Sequence, residues 1–209
     1  SSSTADGARR SLSIWLSGSA KSDVSSTDNG VIFGSGPTAF ALREKDTKLQ
    51  LLHVDSSGPS TRLIQTAAEF FPCSWTHLVG VVENNRLELF INGESFASVG
   101  GTWNTEGDNL NGPYFLGGAK FDPEYKFRDA IVWNGALSAA QALALHEASS
   151  SYDADGFDPS GLTKLHWMKP TGSVNDTFTA NGDVLTDHGD HGGSWVLSNS
   201  SSNEIIAIS

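Results

Sequence analysis

The sequence predicts an all-β fold, a two-sheet antiparallel sandwich with one short late helix and an irregular C-terminal appendage. Three observations carry that prediction. Short apolar bursts recur at close spacing, several with the alternation that puts residues i and i+2 on one face of a strand. Turn signals punctuate them, above all Asn92-Gly93, since both central residues of a type I′ turn need positive φ. Only one stretch, 139–148, has the composition of a secure helix. Many antiparallel strands and one helix suit two packed sheets.

In chain order, residues 1–10 are a polar lead-in. Ser11-Leu-Ser-Ile-Trp-Leu16 alternates as a half-buried strand does. A Ser/Gly/Asp-rich loop follows, then strands at Val31–Phe33, Phe40–Leu42 and Leu49–Val54. Trp75–Val82 and Arg86–Ile91 form a hairpin about Glu83-Asn-Asn85, and Asn92-Gly93 turns the chain into Ser95–Val99. Beyond the polar loop 100–112, strands are expected from Tyr114 and over Phe127–Trp133. Ser138 and Gln141 have capping-box spacing at the helix start. The main domain is therefore placed at 11–149. Residues 150–209 are rich in Gly, Ser, Asp and Asn around two aromatic islands and the apolar Ile205–Ile208, and they read as an appendage that packs on the sandwich or on a neighbouring chain.

Charge and cysteine content narrow the function classes. With 13 basic and 24 acidic residues the net charge is −11, and no Lys/Arg stripe reverses it locally, which argues against nucleic acid. No apolar run approaches the length of a membrane-spanning helix, so no membrane insertion is expected, and no basic-then-apolar leader is visible at Ser1-Ser2-Ser3-Thr4. Cys73 is the only cysteine, which fits folding in a reducing compartment, including that of a protein later released on a particle.

Four segments carry a resemblance. Ser11–Leu16 is similar to an opening strand, Trp75–Gly93 to a central hairpin, Gly112-Pro-Tyr-Phe-Leu-Gly-Gly118 to the next strand, and Phe127–Ser138 to a closing strand that runs into a short helix. In that order they resemble the laminin-G/pentraxin-like family of concanavalin A-like jelly rolls, and the likeness stops near Ser149. It implies that the sandwich is a jelly roll. Gly161–Met168, Asn175–Phe178 and Asp187–Gly193 more loosely resemble segments that follow such jelly rolls in virion proteins of phages and large aquatic viruses.

The fold hosts glycan hydrolases as well as binding domains, so function must be argued from sites. A hydrolase needs two carboxyl groups across the sugar bond. The acidic run usual in this family's enzymes, Glu-x-Asp-x-x-Glu, is absent, and the nearest pairs, Glu44/Asp46 and Glu83/Glu88, read as solvated surface. Cys73 reads as a small buried residue, and His77 as a contact to a polar rim. For glycans the best candidate is the loop holding Trp103, Asn104, Asp108, Asn109 and Asn111, where an aromatic face and amide and carboxylate groups match the faces and hydroxyls of a sugar. Its alternative is Trp103 tucked under the loop as a satellite of the core. The resemblance also implies a calcium position at Asp108 and Asn111, although Ser35-Gly-Pro-Thr38 lacks the carboxylate of the family's other calcium position. No cofactor beyond calcium is expected. Asp187-His-Gly-Asp-His191 matches no standard zinc spacing and reads as a loop. Trp15, Trp75 and Trp133 are expected in the core.

The reading that follows is a non-enzymatic structural or decoration protein on a viral or phage particle. It would be made in the host cytoplasm and displayed on the virion surface. Its expected partners are other virion or surface proteins in a homo-oligomer or bound to the particle, with host glycans as a further contact. The alternative is a carbohydrate-binding module of a secreted or cell-surface protein, with glycoside hydrolase behind both.

Overall fold

A computed structural model describes residues 9–18, 30–35, 40–54, 61–70, 74–83, 85–101, 110, 114–116, 126–150, 157–168, 195–197 and 206–208. Its strands are β1 (Arg10–Ser17), β2 (Gly30–Gly34), β3 (Phe40–Lys45), β4 (Lys48–Val54), β5 (Thr61–Gln65), β6 (Thr76–Glu83), β7 (Arg86–Ile91), β8 (Glu94–Gly100), β9 (Tyr114–Leu116) and β10 (Lys126–Trp133). Helix α1 (Ala139–Ser150) follows, then β11 (Lys164–Met168), β12 (Trp195–Leu197) and β13 (Ile206–Ile208). The first sheet runs β11-β10-β1-β6-β7-β8, the second β12-β13-β9-β2-β3-β4-β5, with antiparallel pairing throughout. Among the described residues, the two sheets and one helix agree with the fold class expected. The chain after 150 adds β11 to the edge of the first sheet and β12 and β13 to the edge of the second.

The core between the sheets is built from every second residue. Leu12, Ile14 and Leu16 of β1, Leu78 and Val82 of β6, and Leu87 and Leu89 of β7 meet Phe40, Leu42, Leu49, Leu51 and Ile64 from the other sheet. Gly80 lies among them because a side chain there would collide with Leu51. The alternate residues of the first sheet build a second core on its outer face. There Val79, Val81, Phe90, Ile131 and Trp133 pack against Leu137, Ala142 and Leu145 of the helix and its approach. The architecture is thus sheet, sheet and helix.

Local chemistry sets the turns and the helix start. Asn92 and Gly93 adopt φ of 52° and 82°, the type I′ geometry their sequence signals. Asp46 and Thr47 adopt φ of 51° and 62° without glycine in the β3–β4 turn, which the sequence places at Glu44-Lys-Asp46. At the helix start, Gln141 N–H donates to Ser138 Oγ at 3.3 Å and Ser138 N–H donates to Gln141 Oε1 at 2.9 Å, a complete capping box.

Strand β10 is irregular at a position with consequences. Ser13 faces Ile131 and Trp15 faces Arg128, so β10 carries one extra residue. Asp129 sits in that bulge at φ 49°. The extra residue reverses the alternation. Ala130 and Val132 point into the inter-sheet core, Phe127 packs against it as well, and Arg128 turns to the outer face. Asp129 holds a left-handed conformation that costs a residue with a side chain roughly 1–2 kcal/mol. Asp129→Val is therefore expected to be less stable than Asp129→Gly by about 1–2 kcal/mol in urea unfolding, because a β-branched side chain fits this conformation worst.

Candidate functional site

The glycan candidates Trp103, Asn104, Asp108, Asn109 and Asn111 lie outside the described residues, and so do the calcium candidates among them, Cys73 and the 187–191 segment. What the structure does show is Leu110 and the start of β9, which follows it in the chain. Leu110 is fully buried in the inter-sheet core, and the Tyr114 hydroxyl donates to its carbonyl. Tyr114 is itself buried at the start of β9, with Phe33 and His166 rings at 6.5 and 5.7 Å. His166 points inward because it faces Val132 across the β10–β11 ladder. Burial raises the Tyr114 phenol to about 12, although the Arg10 guanidinium beside it pulls the other way. It stays a neutral donor at any physiological pH. Burial also lowers the His166 imidazole from its ordinary value. A loop that leaves the edge strand β8 and enters the opposite sheet is thereby pinned at one interior point.

The first sheet's outer face carries a second cluster, at the opposite end of β1. The Arg128 guanidinium lies 4.4 Å from the Trp15 ring centroid and 5.1 Å from that of Trp75. Trp15 stacks on His77 at 4.9 Å and on His146 of the helix at 5.2 Å. Its indole N–H donates to Ser149 Oγ at 2.8 Å. At the other end of β1 the Ser11 hydroxyl donates to the Gly135 carbonyl at 2.8 Å and accepts from Leu137 N–H at 2.9 Å. Trp133 Nε1–H donates to Ser13 Oγ at 3.3 Å. The outward residues of β1 thus hold the helix and its approach along their length.

Several sequence expectations need correction here. His77 is 1% exposed, far from any polar rim, because Trp15 opposite it and His146 above it cover its ring. Trp75 is half-buried just ahead of β6, whereas Trp15 and Trp133 are buried as expected. Of the acidic pairs read as solvated, Asp46 is exposed, but Glu44 is buried, since it shares the face of Phe40 and Leu42. Glu88 is also buried, and it accepts from Arg86 at 2.7 Å and from the Ser95 hydroxyl at 2.7 Å. Glu83 meets the same Arg86 at 2.6 Å. Strand β5 escaped the sequence reading because four of its five residues are exposed or half-exposed, leaving Ile64 as its only buried apolar residue.

Ser35, at the first calcium position implied by the resemblance, has its side chain committed to closing the β2–β3 connection, since its Oγ accepts from Phe40 N–H at 3.3 Å. Among the described residues no three His, Cys, Asp or Glu side chains gather as metal ligands, and no helix is long and apolar enough to cross a membrane.

No curated protein matches the chain significantly. Among solved structures it is similar to the binding domain of Paraclostridial Mosquitocidal Protein 1, with 16% identity, a TM-score of 0.54, and coverage of 69% of this chain and 38% of that one. It is also similar to the receptor binding domain of botulinum neurotoxin D, with 16% identity, a TM-score of 0.53, and coverage of 70% and 38%. A third likeness is to the ligand binding domain of botulinum neurotoxin serotype D in complex with N-acetylneuraminic acid, with 14% identity, a TM-score of 0.52, and coverage of 71% and 38%. The chain therefore spans under two fifths of the length of these structures, and at such identities they speak for the fold alone. Residues 2–142 match the family described as the concanavalin A-like lectin/glucanases superfamily, of the laminin-G type, and the chain belongs to it.

Proposed function

We propose that this chain is a lectin-like binding domain that takes glycans at the sandwich end bearing the 102–113 loop and catalyses no reaction on them. The observation that carries the reading is the floor of that loop, where Leu110 and Tyr114 are locked by a buried hydrogen bond. A loop pinned on a rigid scaffold is a common way to present stacking and hydrogen-bonding groups to a ligand. Trp103 would supply the aromatic face, and Asn104, Asp108, Asn109 and Asn111 the polar contacts. Two further facts support binding over hydrolysis. The similar solved structures are binding domains, one of them in complex with N-acetylneuraminic acid. In addition, Glu83 and Glu88 are both engaged by Arg86, an arrangement that serves the β6–β7 turn. Calcium at Asp108 and Asn111 is part of the proposal as a ligand-ordering ion.

A structural role on the surface of a viral or phage particle is the second reading. It is supported by the segment after 150, whose resemblance is to virion proteins and whose strands extend both sheets. Native mass spectrometry of the chain from its source separates the two. A large fixed assembly supports the particle role, and a monomer removes it.

A glycan array that includes sialylated and neutral glycans, run with calcium and with chelator, tests the leading reading. Retention of at least one glycan, weakened about ten-fold in Trp103→Ala, is the expected result. No retention under either condition removes the reading. Tyr114→Phe is expected to cost about 1 kcal/mol in urea unfolding through its lost hydrogen bond and to weaken glycan retention along with it. Unchanged retention in that variant would show that the floor does not order the loop.

A further inference from the structure

Helix α1 sits on the first sheet through two unlike contacts. Its approach is pinned by Ser11, which holds both the Gly135 carbonyl and the Leu137 amide. Further along, His146 lies against two other flat rings. Trp15, His77 and His146 have centroids 4.9, 5.2 and 5.6 Å apart and planes within 26° of one another. His77 is fixed from behind, since its backbone N–H donates to Asn92 Oδ1 at 2.9 Å and its carbonyl accepts from Asn92 N–H at 2.8 Å. The Nδ1 atoms of His77 and His146 are both buried without a hydrogen-bond partner.

Such a seam accepts neutral imidazole and rejects imidazolium. A proton on the fully buried His77 would place a charge in a dry contact, and one on the half-buried His146 would sit against it, with no acceptor at either Nδ1. The groups facing the pair are unfavourable on almost every side. From β10 comes the Arg128 guanidinium, already charged, over Trp15. From β1 comes Trp15, and from the β7–β8 turn the uncharged Asn92 and Gly93, the latter against the His146 Cβ. On the helix itself, Glu147 is the one group that favours a proton, and it acts on His146.

We propose that this seam is a proton-sensitive latch: as the pH falls below the ordinary histidine range, the C-terminal half of helix α1 lifts from the sheet about its Ser11-pinned start, while the sandwich stays folded. The inter-sheet core contains no residue of the helix, so lifting leaves that core intact. The sign follows from linkage. Docked, His77 is lowered to about 3, by burial first and then by His146 and Arg128; lifted, it loses the burial and His146 and rises toward its ordinary 6.5, with Arg128 of the sheet still beside it. The lifted state therefore binds the proton more readily. Docking is at full strength above pH 6.5 and weakens as the pH falls toward about 3. His146, also lowered by burial, acts in the same direction. Between about pH 7.5 and about pH 5, His77 alone raises the lifting equilibrium by roughly ten- to thirty-fold.

Hydrogen exchange read by mass spectrometry, corrected for the intrinsic pH dependence of exchange, tests this on the intact chain. Protection over residues 139–150 is expected to fall by roughly ten-fold or more across that range, while β6 and β7 keep theirs. In the double variant His77→Phe, His146→Phe, which keeps flat rings and removes both titrations, the fall should vanish. An equal loss in helix and strands, no loss, or the same loss in the variant overturns the proposal. Should the variant fail to fold, NMR titration of the unaltered protein decides. An imidazole of His77 that titrates near 6.5 with helix protection unchanged also overturns it.

Discussion

Burying both faces of one sheet forces β1, β6 and β10 to satisfy two opposite environments in alternate residues. Every residue from Arg10 to Leu16, from Thr76 to Val82 and from Arg128 to Trp133 is buried. One face of β1 is the aliphatic Leu12, Ile14 and Leu16, each worth about 1.5–3 kcal/mol when removed from water. The other is Ser11, Ser13 and Trp15, which are tolerable under a helix only because each polar atom finds a partner there. Apolar burial holds the sheets together, and side-chain hydrogen bonds set where the helix lies. The bulge at Asp129 belongs to the same constraint. Without the extra residue Arg128 would share the face of Ala130 and point into the inter-sheet core, where a guanidinium could not be paired.

The same constraint bears on the proposed binding role. The helix covers the outer face of the first sheet, and the proposed glycan site accordingly lies at an end of the sandwich, where connections leave the strands. At one end the Leu110–Tyr114 contact gives a connection an interior anchor. At the other end, the rings of Trp15, His77 and His146 are spent on seating the helix.

Much of the fold was legible in the sequence because its strands alternate cleanly. Leu87, Leu89 and the Asn92-Gly93 turn announced the β7–β8 hairpin, and Ser138 with Gln141 announced the helix start. Legibility failed where side chains do double service. His77 and Glu88 look like surface residues in one dimension, and only the helix above the first and Arg86 and Ser95 beside the second explain their burial. Strand β5 was missed because its edge position leaves most of it in water, so little hydrophobic pattern was required of it. Of the candidate site, the sequence pointed to the loop residues from Trp103 to Asn111. The floor at Tyr114 could have been suspected from an aromatic beside Gly112-Pro113 at a strand start, but its hydrogen bond to Leu110 is a tertiary fact.

The buried indoles of Trp15 and Trp133 serve the architecture, and in the proposed function the indole of Trp103 serves recognition. Each of the six tryptophans carries one indole N–H, and the decisive measurement follows their solvent exchange and their response to a bound glycan at neutral pH by nitrogen-15 NMR. Slow exchange and no ligand response are expected for Trp15 and Trp133, whose N–H groups are held by Ser149 and Ser13, and a ligand-induced shift is expected at Trp103. A shift centred on Trp15 or Trp133, with Trp103 silent, would contradict that division of roles.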